Sequence, residues 1–389
     1  MRDPRHDKLA DVLVRFSAHV KKDDLVVITG DPVAFPLIRA VFEKVLEVGG
    51  HPTWSVQSNE LTDVFLANAS HEQLEYFSPL RKFEVENVDA YIRFISDTNT
   101  RSLTRVDPAR QAIASKARRP FFSTFLDRAS RKELQWVLTQ APTLAAAQDA
   151  EMSLDEYEDF VFRAGLLHLA DPVAEWTKIR ERQQRLVDWL NTKKSIRFRV
   201  PGPNGSFDTG AGATDLTVSV DGANWINCFG DNNFPDGEVF AGPQDVEGVV
   251  NYNLPAYYNG REVDGVRLEF RGGRVVDASA KKNEAFLIQM LDQDEGARNL
   301  GEIAIGTNYA ITEPSKNTLF DEKIGGTFHA AVGAGYPDSG SKNESGLHWD
   351  MVCDLRPEKT GGGATIEADG EVFHKDGRFL NPEYPQPIA

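Results

Sequence analysis

The chain has 389 residues, of which 41% are apolar and 26% charged, with a formal net charge of −16. That length exceeds one ordinary hydrophobic core and predicts two domains, and the balance of apolar to charged residues excludes a disordered chain. The negative charge disfavours nucleic acid and anionic membranes as partners, and the longest apolar runs fall far short of the ~20 residues that span a bilayer.

The polar start, Met1-Arg2-Asp3-Pro4-Arg5, lacks the apolar stretch of a secretory signal, so none is expected. Cys228 and Cys353 are the only cysteines and cannot build a disulfide framework, which makes a cytoplasmic location the expectation.

Leu9, Val12, Leu13, Phe16 and Val20 recur at helical spacing. The apolar run 25–28 predicts a buried strand, and Gly30-Asp31-Pro32 a turn. No Gly-x-Gly-x-x-Gly follows this strand, so plain turn chemistry explains Gly30 better than anion binding does. A second amphipathic helix runs through Leu37, Ile38, Val41, Phe42, Val45 and Leu46 and stops at Gly49-Gly50. Strands at 53–56, 90–95 and 120–124 alternate with helices at 61–69 and 108–116. This pattern predicts βαβ units and an α/β domain with a mostly parallel sheet. From 128 to 194 the reading is mostly helical, with long pieces at 154–167 and 173–191. Ser153 and Glu156 have the spacing of a capping box. The domain change is expected near Lys194, giving domains 1–194 and 195–389.

After Ser195 strand-like runs come closely: 196–200, 215–220, 249–254, 263–270 and 274–280. Pro-Gly, Asn-Gly, Asp-Gly and Gly-Gly pairs lie between or beside them, and Gly272-Gly273 suits a hairpin. One helix, 284–291, interrupts, and the tail from Gly361 reads as a hairpin ending at the surface. The second domain is therefore expected to be strand-rich α+β.

The chemistry concentrates in 301–350. Glu302 opens the apolar run 303–305, His329 follows Gly325-Gly326, and His348-Trp349-Asp350 lies in a strand-like segment. Side chains two apart on a strand share a face, so His348 and Asp350 stand side by side. Upstream, Glu238 follows a Pro235-Asp236-Gly237 turn that holds its carboxylate at a strand mouth. Any one of these residues alone is more often a satisfied core or surface histidine or a turn glutamate than a ligand. Together they make five nitrogen and oxygen ligands without cysteine, the mix of a hydrolytic zinc, cobalt or manganese site. Five exceed the needs of one cation and suit two, about 3.5–4 Å apart and bridged by a carboxylate and a water. His51, His71, His168 and His374 have no such company and are read as structural or exposed.

Asn233-x-Pro235-x-Gly237-Glu238-Val239-Phe240 is followed by Gly260-Arg261-Glu262-Val263-x-Gly265-Val266-Arg267-Leu268-Glu269-Phe270 and Leu300-Gly301-Glu302. Next come Asn317-Thr318-Leu319-Phe320-Asp321-Glu322-Lys323-Ile324-Gly325-Gly326-Thr327-x-His329 and Ser345-x-x-His348-Trp349-Asp350. In this order, from about Asp215 to Arg356, the motifs resemble the aminopeptidase T, aminopeptidase S and PepS family of metallopeptidases, with its thermophilic metallopeptidase-like fold. The first half resembles the family more loosely, through Leu25-Val26-Val27-Ile28-Thr29-Gly30 and its flanking helices. The resemblance implies a two-metal site on Glu238, Glu302, His329, His348 and Asp350, with Glu302 shared, and adds Tyr336, seven residues after His329, to the site. It also implies a homodimer and peptide substrates with a free N-terminus.

On that reading two divalent cations bring a shared water from a pKa of ~15.7 toward neutrality, and a free α-amine held by one cation explains exopeptidase action. Tyr336 would donate to the tetrahedral oxyanion; its other reading is a packing tyrosine before a proline turn. Glu302 could also serve the proton transfers. One rival uses His329, His348 and Asp350 alone as a two-His-one-carboxylate face for Fe(II), as in a ring-cleaving dihydroxypyridine dioxygenase. The other is a non-enzymatic, metal-stabilised binding protein.

Overall fold

A computed structural model describes residues 3–388. The chain divides into two compact units. One runs to Ala174 and includes Gly230–Pro235; the other comprises Glu175–Phe229 and the chain from Asp236 onward. The division falls before the expected Lys194 because the long helix Pro172–Leu190 contributes Leu186, Val187 and Leu190 to the core of the second unit.

The first unit is built on a five-stranded parallel sheet. Its strands are β1 (Leu25–Gly30), β2 (His51–Val56), β3 (Ala90–Ile95), β4 (Gln135–Gln140) and, from the 230–235 excursion, a short strand at Asn233–Phe234. The order is β2-β1-β3-β4 and then the short strand, with every pairing parallel. The α/β expectation thus holds, with two local corrections. The segment 120–124 is not a strand but lies in the helix Arg119–Ser130. Pro120 suits the first turn of a helix, where no N–H partner is needed. Phe121 and Phe125, four apart, then share a face, and their rings lie 6.1 and 5.7 Å from Tyr91, with Phe125 5.9 Å from Trp136. The fourth strand is instead Gln135–Gln140, inside the stretch expected to be helical. The capping box of Ser153 and Glu156 forms and opens the helix Leu154–Ala164.

The second unit holds two antiparallel sheets. The larger has eight strands, among them Ser195–Val200, Thr214–Ser219, Asp245–Asn251, Arg267–Arg271, Arg274–Ser279 and Thr365–Ala368. The expected strand 263–270 is broken in two: Arg261–Val263 ends before Gly265, whose φ of +65° lies in the left-handed region, and Arg267–Arg271 begins after it. Arg267–Arg271 and Arg274–Ser279 make the hairpin expected at Gly272-Gly273.

The smaller sheet has five strands. They are β5 (Ile226–Cys228), β6 (Glu238–Ala241), β7 (Leu300–Gly306), β8 (Thr327–Gly333) and β9 (His348–Asp354), ordered β9-β8-β7-β6-β5. Alternation decides what each face does. One face carries Val239, Ile303, Ile305, Phe328, Ala330, Val332, Trp349, Met351 and Cys353. These pack with Ile196, Phe198, Leu216, Val218 and Leu268 of the larger sheet in one continuous core, where the rings of Phe198 and Phe328 lie 4.3 Å apart. Burying each of the larger side chains contributes about 1.5–3 kcal/mol. That core anchors the sheet whose other face carries the polar residues.

Candidate metal centre

Register places all five expected ligands on that second face. Ala331 of β8 lies opposite Glu302 of β7 on one side and Asp350 of β9 on the other. His329 and His348 stand two residues from Ala331 and Asp350, on the same side of the sheet. Glu238, first residue of β6, lies opposite Gly306, which shares the face of Glu302. Between the expected ligands the face is lined by Ala304, Gly306, Ala331 and Gly333, and the two glycines admit close backbone neighbours: a Cβ would lie 2.2 Å from Ile324 O at Gly306 and 2.2 Å from Leu347 O at Gly333. Glu302 does not open its strand, as the sequence suggested, but is its third residue, beside an irregularity in the pairing with β8.

The turn before Glu238 is tightly packed. Gly237 has a φ of +122°, and a Cβ there would approach the Asn308 side chain to 2.8 Å. Gln183, fully buried on the helix Pro172–Leu190, fixes the strand start from behind. Its Nε2 donates to Asn227 Oδ1 (2.7 Å), Cys228 O (2.8 Å) and Glu238 O (3.1 Å), and its Oε1 accepts from Thr307 Oγ1 (3.0 Å).

Both histidines are oriented by backbone carbonyls. His329 Nδ1 donates to Glu322 O at 2.9 Å, and His348 Nδ1 to Ala334 O at 2.7 Å. Such bonds leave Nε2 as the free end of each ring. His329 Nε2 lies 3.2 Å from Glu302 Oε1, 3.4 Å from Glu238 Oε2 and 4.0 Å from Asp350 Oδ1; His348 Nε2 lies 3.4 Å from Asp350 Oδ1. A neutral imidazole with its proton on Nδ1 points a lone pair at these oxygens. The repulsion is relieved either by a second proton or by a cation between them.

The electrostatics follow. Burial opposes charge on His329, but the Glu302 hydrogen bond and the Glu238 and Asp350 carboxylates outweigh it and raise its pKa to about 9. Burial likewise opposes charge on His348, and Asp350 outweighs it, raising the pKa to about 10. For Asp350 burial works upward, but the two histidines win and hold its pKa down at about 2. Burial raises the pKa values of Glu238 and Glu302, helped by neighbouring carboxylates and opposed by Lys323 and then His329 at Glu238, and by His329 at Glu302. Glu238 Oε2 and Asp350 Oδ1 are buried and have no hydrogen-bond partner among the described residues. Buried carboxylate oxygens without donors are costly, and divalent cations would satisfy them. The donor set fits such ions.

Sequence reasoning missed two members of this site. Oxygens of Glu238 and Glu302 gather with His329 Nε2 within 4.8 Å of one another, and an oxygen of Glu322 does so with His329 and Asp350. Lys323 is fully buried, with Nζ 3.4 Å from Glu238 Oε1, 3.9 Å from Asp236 Oδ1 and in contact with Glu322 Oε1. Burial disfavours its charge, but Glu238, Glu322 and Asp236 more than compensate. The motif before His329 contains both residues, yet two adjacent opposite charges read as solvated turn. Tyr336 is half exposed, its ring edge-on to Phe240 (5.6 Å) and His348 (5.5 Å). Of the remaining histidines, His51, His71 and His168 are exposed and His374 is fully buried.

The model of the thermophilic metalloprotease family M29 matches residues 2–379. Aminopeptidase 2 of Geobacillus stearothermophilus is 29% identical over 411 residues, covering 96% of this chain and 94% of its own. Aminopeptidase T of Thermus thermophilus is 26% identical over 363 residues, 87% of each chain. The solved structure of wild-type AmpT from Thermus thermophilus superposes with a TM-score of 0.79 at 25% identity, covering 97% of this chain and 99% of that one.

Proposed function

The chain belongs to the thermophilic metalloprotease family M29, and from that premise we propose that Glu238, Glu302, His329, His348 and Asp350 hold two divalent cations used to release N-terminal residues from peptides. As a metal-dependent aminopeptidase it is a peptide hydrolase, like the aminopeptidases it resembles over most of their length. The named relatives give no support to a ring-cleaving dioxygenase.

One observation carries the ligand assignment: two histidines with Nδ1 tied to carbonyls aim Nε2 at carboxylate oxygens, and two of those oxygens have no hydrogen-bond donor among the described residues. Charge supports two cations rather than one. Asp236, Glu238, Glu302, Glu322 and Asp350 carry five negative charges when ionised; Lys323 and two divalent cations carry five positive ones. Zinc, cobalt and manganese all accept this donor set.

When bound, such cations polarise the scissile carbonyl, acidify a water and accept the free α-amine of the substrate. Glu302, with carboxylates on both flanks and His329 beside it, would be the ligand shared by the two cations, and its carboxylate could also serve the proton transfers. Tyr336 is the oxyanion donor. The ordinary phenol pKa of about 10 lies well above neutral, so the phenol keeps its proton at neutral pH. An aligned donor of this kind contributes about 3 kcal/mol to the transition state.

The protein is proposed to act as a cytoplasmic homodimer. Among the described residues no helix is long and apolar enough to cross a membrane. The test of exopeptidase action is a pair of substrates. After cobalt or zinc loading, leucyl-peptides with a free amine should turn over while their N-acetylated counterparts stay nearly inert. Comparable hydrolysis of both would replace the aminopeptidase assignment with an endopeptidase or amidase.

A further inference from the structure

Lysine is almost never fully buried unless paired, and Lys323 is buried against Glu238, a proposed ligand, and against Glu322, a further carboxylate within reach of His329 and Asp350 that could join the five proposed ligands. We infer that Lys323 is a positioning residue that sets the denticity of the metal site, engaging one oxygen of Glu238 and one of Glu322 so that each offers only its other oxygen to a cation. The inference rests on the two-cation reading above.

Glu238 shows the division directly. Its Oε1 faces Lys323 Nζ at 3.4 Å, while its Oε2, buried and without a hydrogen-bond donor among the described residues, faces His329 Nε2 at 3.4 Å. Glu322 lies beside it: its Oε1 meets the same ammonium, and its carboxylate gathers with His329 and Asp350. The backbone ties the parts together, because the carbonyl of Glu322 receives His329 Nδ1 and the next residue is Lys323 itself. Asp236, 3.9 Å from Nζ, holds the ammonium from a third side.

A carboxylate can bind a cation through one oxygen or chelate it with both. An ammonium on Oε1 disfavours chelation twice, by occupying that oxygen and by placing positive charge on that side. A catalytic centre must keep a coordination position open for water and substrate. Two chelating glutamates would fill it, and Lys323 keeps it free.

The test uses the full chain loaded with cobalt(II), as wild type, Lys323→Met, and the charge-balanced Lys323→Met/Asp236→Asn. Cobalt per chain is counted by plasma emission, the visible d–d absorption is recorded, and kcat and KM are measured separately. Both variants should keep two cobalt ions. Their absorption should weaken by roughly twofold or more as coordination number rises, and kcat should fall about tenfold or more as the open position is lost. A double variant with two cobalt ions and a wild-type spectrum overturns the inference, as does a folded double variant that loses cobalt. Wild type alone gives an independent reading should the variants not fold. Cobalt loading should widen the separation between asymmetric and symmetric carboxylate stretches in the infrared, the mark of one-oxygen ligation. A narrowed separation marks chelation and also overturns it. Fewer than two cobalt ions in wild type would instead strike the two-cation reading.

Discussion

His374 permits a test of the scaffold apart from the metal centre. It lies in the strand Glu371–Lys375 of the larger sheet, opposite Ile366, with its ring edge-on to Phe379 at 4.8 Å. It is fully buried, and neither ring nitrogen has a hydrogen-bond partner among the described residues. Burial, and after it the charge of Arg378, push its pKa from 6.5 down to about 3. The unfolded chain therefore takes up a proton at higher pH than the folded one. The neutral ring's contribution is undiminished above about pH 6.5 and is lost progressively as pH falls from there toward about 3. At pH 5 the loss is about 2 kcal/mol, and at pH 7.5 it is close to zero. His374→Leu removes both the titration and two unsatisfied nitrogens, so at pH 7.5 the variant should equal or exceed wild type in stability. Urea unfolding at pH 7.5 and pH 5, on metal-stripped protein, gives the difference between the two proteins at each pH. That difference should shift by about 2 kcal/mol in favour of leucine on acidification. An unchanged difference would refute the reasoning, since a ring that gains its proton equally in both states cannot be desolvated.

Two further outcomes concern the site. Tyr336→Phe should lower kcat by about 10²-fold or more with KM little changed and metal content at the wild-type level; a near-normal kcat would return Tyr336 to packing against Phe240 and His348. Gln183→Leu strands the Thr307 hydroxyl and Asn227 Oδ1 and loosens the start of β6, so it should cost about 2–4 kcal/mol of stability and raise the ease of metal removal by chelator. A cost below about 1 kcal/mol, with unaltered chelator resistance, would show that Gln183 does not hold the Glu238 strand.

The candidate metal face was legible in the sequence to the extent that strand periodicity governs it. His348 and Asp350 share a face by spacing alone, and the short apolar runs after Glu238, Glu302 and His329 marked their strands. What spacing does not supply is register, and register is what brings Glu302 and Asp350 to either side of Ala331. Lys323 escaped because a buried ammonium is stabilised by carboxylates remote in the chain, Asp236 and Glu238, which no local pattern announces. The helix Arg119–Ser130 was misread because Pro120 followed by two phenylalanines has the composition of a short strand, while the four-residue spacing of Phe121 and Phe125 was the helical signal. The strand Gln135–Gln140 was hidden because the chain breaks before it without glycine or proline; Lys132, with a φ of +58°, supplies the turn.

The most direct test of the account is metal stoichiometry in Glu302→Gln beside wild type. Glu302 lies between the Glu238 strand and the Asp350 strand, with His329 Nε2 3.2 Å from its Oε1. Glutamine keeps the shape, removes the charge and replaces one oxygen with an amide nitrogen that does not ligate while protonated. Wild type should bind two divalent cations per chain. The variant should lose at least one of them and several orders of magnitude in kcat, with its circular dichroism unchanged because both cores are untouched. Two cations still bound with near-wild-type turnover would contradict the shared role of Glu302 and the two-cation mechanism with it.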